Sequence, residues 1–249
     1  MTSPISPAAT QAVAGRVLTQ LSRDHRTVAM LLVVPCVLLT LLWWMFDGDE
    51  RTFSRLGPPL LALFPFIVMF LVTSVTTLRE RSSGTLERLL TTPMGKADLL
   101  VGYGLAFGAV AVVQAAVAVA LTVGLLGLDV RGPVWVLALV AVLDAVLGTA
   151  LGLLVSAFAA TEFQAVQFMP AFVLPQLLLC GLFVPRSLLP DVLSTISDAL
   201  PLSYAVDAMN EVQTAATWTS DLTLDVAVVA GSGLLALALA SATLRRRTA

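Results

Sequence analysis

Few side chains in this sequence are equipped for chemistry, and their spacing excludes more than it permits. The one lysine, Lys96, follows Gly95, the pair found near the end of a phosphate-binding loop. That loop also needs glycine at position 90 and serine or threonine at 97, since its backbone N–H groups cradle the phosphates and its hydroxyl holds Mg²⁺. Leu90 and Ala97 stand there instead, so the chain does not bind ATP by that device. With a single histidine, His25, there is no histidine-based zinc site and no Ser–His pair within the membrane. The string Ala230-Gly231-Ser232-Gly233 lacks the order of a nucleophile elbow and any histidine partner, so it reads as helix packing. Cys36 and Cys180 lie inside apolar segments and read as small buried side chains rather than a disulfide or metal pair. No catalytic, metal or cofactor site is expected, and no nucleic-acid partner. One group stands apart: Asp144, a carboxyl far from either end of an apolar run. Exposed to lipid, such a group costs roughly 2.5–3.5 kcal/mol, so it should face the bundle or a wet cavity. It is a pathway candidate, carrying substrate or protons, or else a carboxyl hydrogen-bonded to a neighbour such as Gln114 or Thr122.

The elements that position these groups are read from hydropathy. Of the 249 residues 58% are hydrophobic and 12% charged, which marks an all-α integral membrane protein rather than a soluble domain. Six spans of about 20 residues can be drawn, at residues 28–46, 58–78, 99–126, 134–159, 163–184 and 222–244. Residues 1–27 form a tail and an amphipathic helix, with Val13, Val17 and Leu21 recurring every four residues, predicted to lie along the membrane surface. Residues 28–249 then form a single six-span domain. Before the last span, residues 189–200 and 201–212 are half-polar amphipathic pieces too short to cross, expected at or partly within the outer leaflet. Gly104 with Gly108 and Gly148 with Gly152 have the spacing that lets helices approach closely. Ten of the fourteen basic residues fall in the loops shared with both termini, which predicts that the termini are cytoplasmic.

The same rule places Arg79–Leu99, the long polar run between two spans, in the cytoplasm. Gly84 can start a helix there, with Glu87 near the positive end of its dipole, and Pro93 ends it. The predicted helix runs Gly84, Thr85, Leu86, Glu87, Arg88, Leu89, Leu90, with Leu86, Leu89 and Leu90 on one face. Three uncovered leucines in water argue for a protein partner.

The run Arg79–Tyr103, RERSSGTLERLLTTPMGKADLLVGY, resembles the segment after the second span of ABC-2 type transporter permeases, the membrane subunits of drug-resistance exporters. Arg79, Glu80, Gly84, Thr85, Leu86, Glu87, Leu89, Leu90, Pro93 and Gly102 carry the likeness, and Leu200–Val212 resembles the stretch before the family's last span. The resemblance implies a permease that exports a compound with ATP and Mg²⁺ used by a separate nucleotide-binding subunit. Two such ATPase copies and a second permease, identical or paralogous, are the implied partners. Gly84–Leu90 would be the coupling helix on which the ATPase docks, and the half-inserted helices would line the outer gate. The setting implied is a bacterial cell membrane. With only two tyrosines and four tryptophans the chain matches the carbohydrate exporters poorly, so the expected cargo is a small amphipathic, drug-like or lipid-like compound. The alternative is a proton-coupled secondary transporter using Asp144; an intramembrane enzyme or a non-transporting scaffold are further alternatives.

Overall fold

Every element in the computed structural model, which describes residues 6–83 and 95–243, is a helix. In chain order they are α1 (Pro7–Arg23), α2 (His25–Met45), α3 (Glu50–Ser82), α4 (Lys96–Gly124), α5 (Val134–Ser156), α6 (Glu162–Leu179), α7 (Asp191–Asp198), α8 (Pro201–Thr214) and α9 (Ser220–Thr243). A single 3₁₀ turn, Arg186–Leu188, lies between α6 and α7.

Five helices, α2, α3, α4, α5 and α9, are long and apolar enough to cross a membrane. The sequence reading expects six, and α6 makes the difference. It ends at Leu179 rather than Val184, because the chain turns at Gly181, whose φ of +91° is left-handed backbone that favours glycine. Its 18 residues give about 27 Å of helix, short of the ~30 Å hydrocarbon thickness. Gln164, Gln167 and Gln176 further dilute its apolar character. The all-helical membrane architecture holds: among the described residues five helices meet the length and apolarity of a span. The shorter α6 still carries the chain from Glu162, beside Arg79 at the end of α3, to Gly181 and Arg186, beside Arg55 near the start of α3.

Helix α5 is the centre of the bundle, with fourteen of its 23 residues buried. It meets α3 almost backbone to backbone: a Cβ on Gly148 would stand 2.4 Å from the Phe66 carbonyl oxygen, and one on Gly152 would stand 2.6 Å from that of Phe70. The other glycine pair is not used this way, since nothing lies within 4 Å of a Cβ on Gly108 and only a leucine side chain approaches Gly104. Around this centre the exposed positions are apolar, including Val33, Val37 and Leu41 on α2 and Leu234 and Leu235 on α9. Hydrocarbon side chains face outward because lipid, not water, surrounds the bundle.

Prolines inside the spans free backbone carbonyls that lipid cannot satisfy, and at Pro35 and Pro58 a glutamine from a neighbouring helix satisfies them. Pro35 has no N–H for the Leu31 carbonyl, which instead accepts from Gln114 Nε2 at 2.7 Å. Pro58 likewise frees the Ser54 carbonyl, which accepts from Gln213 Nε2. With that bond supplied, and with Asp49 accepting from the Thr52 N–H at its start, α3 begins at Glu50 instead of Pro58.

Helix α1 is amphipathic as expected, and Val13, Val17 and Leu21 are its buried stripe, with Thr10. That stripe is spent on protein. Val13 sits against Gly102 of α4, where an added Cβ would lie 2.7 Å from it. The predicted amphipathic pieces before the last span are α7 and α8, of 8 and 14 residues. Helix α8 buries Leu202, Val206, Met209 and Val212 inward. Cys36 and Cys180 are both free.

Candidate functional site

The last turn of α3 carries Arg79, Glu80 and Arg81 in succession, and each binds a different neighbour. Arg79 forks onto Glu162 at the start of α6, with Nε to Oε1 at 3.0 Å and Nη2 to Oε2 at 3.1 Å. Glu80 points the other way into the protein, where its Oε2 accepts from Arg16 of α1 at 2.8 Å and from the Tyr103 hydroxyl of α4. Arg16 also donates to the Tyr103 oxygen at 3.0 Å, closing a triangle of α1, α3 and α4. Arg81 donates to the Ser156 carbonyl at the end of α5. One helical turn therefore fastens α3 to α1, α4, α5 and α6.

The far stem, at the start of α4, is held as well. Asp98 reaches back to the Gly95 N–H at 2.9 Å, capping the helix. Its other oxygen accepts from the Ser6 N–H at 2.7 Å and from the Thr10 hydroxyl at 3.5 Å. Helix α1 thus bonds to both stems of the polar segment, through Arg16 on one side and its N-terminus on the other. The expected docking residues, Gly84, Thr85, Leu86, Glu87, Arg88, Leu89 and Leu90, lie outside the described residues.

Asp144 is fully buried in α5, and neither carboxyl oxygen has a hydrogen-bond partner. The two partners suggested by the sequence are otherwise engaged: Gln114 donates to Leu31, and Thr122 donates to the Ala118 carbonyl at 2.6 Å. The hydrogen-bonded reading of Asp144 is therefore corrected. Among the described residues no hydrogen bond joins Asp144 to the Arg79–Arg81 cluster.

At the opposite end of the bundle a second polar cluster forms. Arg186 bridges Asp198 of α7 and Asp207 of α8, and its guanidinium lies 5.1 Å over the Tyr204 ring. Trp135 and Trp218 stack at 5.9 Å, joining the starts of α5 and α9. Loop N–H groups of Arg131 and Gly132 donate to the Gln213 and Val212 carbonyls. In sequence, Arg186 is only a loop charge; its partners are 12 and 21 residues away, at no helical spacing that would reveal them. No group of three or more His, Cys, Asp or Glu side chains suited to a metal ion occurs among the described residues.

Residues 8–214 match the family model described as ABC-2 type transporter. The chain belongs to that family. The match runs from α1 to the end of α8 and so takes in both stems, Asp144 and the Arg186 cluster. The chain is similar to the probable multidrug ABC transporter permease YbhR of Escherichia coli K12, with 26% identity over 184 residues, 74% of this chain and 48% of that protein. It is 28% identical to the linearmycin resistance permease protein LnrN of Bacillus subtilis over 153 residues, 59% of this chain and 39% of that protein. With ABC transporter G family member 20 of Dictyostelium discoideum it shares 26% over 166 residues, 67% of this chain and 23% of that protein. The chain spans about half the length of the curated relatives it matches, or less. As an ABC-2 family member with its apolar helices it is a multi-pass membrane protein of a transporter class.

Proposed function

We propose that this chain is the transmembrane permease of an ATP-driven exporter, moving a drug-like or lipid-like amphipathic compound outward. ATP and Mg²⁺ are used by a separate ATPase, two copies of which dock from the cytoplasm, and a second permease completes the pore. Residues 1–27 serve as the interface element and 28–249 as the transmembrane domain, in a bacterial cell membrane with both termini cytoplasmic. The observation that carries this reading is the turn Arg79–Arg81. It leads directly into Gly84–Leu90 and binds α1, α4, α5 and α6, so a push on that segment reaches four helices at once. The relatives' multidrug and linearmycin-resistance names support the export reading.

Leu86, Leu89 and Leu90 supply the apolar knob of the docking surface in this proposal. Leu89→Asp should leave the protein inserted yet abolish both transport and co-purification with the ATPase. Unchanged transport in that variant would sink the docking role.

A second reading has one observation in its favour: Asp144 is buried without a partner, as a membrane proton carrier can be. It makes the chain a proton-coupled transporter. Asp144→Asn separates the two, because the exporter reading expects ATP-dependent transport to persist within about twofold, a barrier change well below the 1.36 kcal/mol of a tenfold effect.

A further inference from the structure

Where α1 turns into α2, the elbow overhangs the end of α3 and leaves an open crevice of about 560 Å³. Pockets that hold drug-sized molecules run roughly from 300 to 1,000 Å³. The crevice is graded. Its floor is apolar, formed by Leu71, Val72 and Val75 of α3, Phe107 of α4 and Met30 of α2. Its rim is polar, formed by Gln20, Asp24, Thr27, Arg79 and Glu80.

The rim holds two carboxylates, Asp24 and Glu80, against one guanidinium, Arg79. The Glu80 side chain is only 5% exposed, and while Oε2 is taken by Arg16 and Tyr103, Oε1 has no partner. A buried carboxylate oxygen without a donor is costly, and it leaves negative potential behind the rim that a cation in the crevice would lower. Across the rim, Asp24 accepts from the Thr27 hydroxyl at 2.7 Å and from its N–H at 3.2 Å. These bonds, the hydroxyl first, hold the Asp24 carboxyl below the usual carboxylate range, so it is anionic at neutral pH. The rim's cation, Arg79, is forked onto Glu162 and attracts Asp24 only through space. Gln20 accepts from Arg16 at 3.4 Å.

We propose that this crevice receives an amphipathic amine from the inner leaflet, its apolar body on Met30, Val72 and Val75 and its protonated nitrogen donating to Asp24, with the buried Glu80 carboxylate behind it. This rests on the exporter reading and narrows its cargo to cationic amphiphiles. The occupant is a free amphiphile and not a bilayer phospholipid, whose phosphate would stand beside two carboxylates while the rim arginine is already paired.

The test uses the full chain in phosphatidylcholine nanodiscs, a lipid whose head group has no N–H donor. Dodecylamine is titrated in, with dodecyl sulfate as the anion of equal chain length. Saturable binding is expected for the amine and not for the sulfate. Val72→Trp, which fills the floor, should weaken amine binding about tenfold, and Asp24→Asn, which keeps a good helix cap, about threefold. If Val72→Trp does not fold, Val75→Trp replaces it. Equal binding of the sulfate, or amine binding unchanged in both variants, overturns the proposal. Nanodiscs of phosphatidylethanolamine should leave amine affinity unchanged; loss of amine binding there would show a lipid as the occupant and also overturn it. None of these failures touches the exporter reading, which is judged separately by ATP-dependent transport.

Discussion

Glu80 and Arg79 are neighbours with opposite environments, and that contrast makes a direct test. The Glu80 side chain is 5% exposed and holds two elements, whereas Arg79 and Glu162 are 64% and 48% exposed. Removing the buried acceptor in Glu80→Ala should cost about 2 kcal/mol, because Arg16 and Tyr103 lose their partner away from water. Arg79→Ala should cost well under 1 kcal/mol, as exposed ion pairs do. Thermal unfolding in one detergent compares them, and equal losses would refute the burial argument. Neither role is visible in the sequence. Arg16 and Glu80 are 64 residues apart, and Glu80 within RER reads as one charge among several in a solvated loop. Asp144, by contrast, stands out from sequence alone, since one carboxyl in an apolar run is conspicuous. Its lack of a partner is not legible there, because only the fold shows Gln114 turned toward the carbonyl that Pro35 releases.

At the scale of elements, α3 and α5 depend on glycine at two points of near backbone contact. Gly148→Leu should prevent correct packing, since any Cβ there meets the Phe66 carbonyl, and the yield of folded protein on size-exclusion chromatography should fall sharply. Gly108→Leu, with open space around it, should elute like the parent. Gln114→Leu should destabilise by about 1 kcal/mol, leaving the Leu31 carbonyl without a donor in an apolar setting; a shift in thermal midpoint checks this. The elements themselves were largely readable: the stripe Val13, Val17, Leu21 marks α1, and the apolar runs mark α2, α4, α5 and α9. Two things were not. Identical glycine spacing on α4 and α5 has different uses, because the spacing says a helix can be approached closely but not by what. The length of α6 was overestimated because apolar Leu182, Phe183 and Val184 extend the hydropathy signal beyond the turn at Gly181.

For the whole molecule, both ends of the bundle are cross-tied by side chains, Arg16–Glu80–Tyr103 and Asp98 at one end and Arg186–Asp198–Asp207 at the other. Under the proposed function, these ties give a push on the segment between α3 and α4 a route to α5. The proposal that follows is that ATP hydrolysed by a partner, and not a proton gradient, drives this chain. The decisive measurement is export of an amphipathic amine from proteoliposomes containing this chain, with or without its partner ATPase, and with or without a protonophore. The account predicts export only with the ATPase and ATP, unaffected by the protonophore, and lost in Leu89→Asp. Export that proceeds without the ATPase and collapses when the protonophore is added would contradict it.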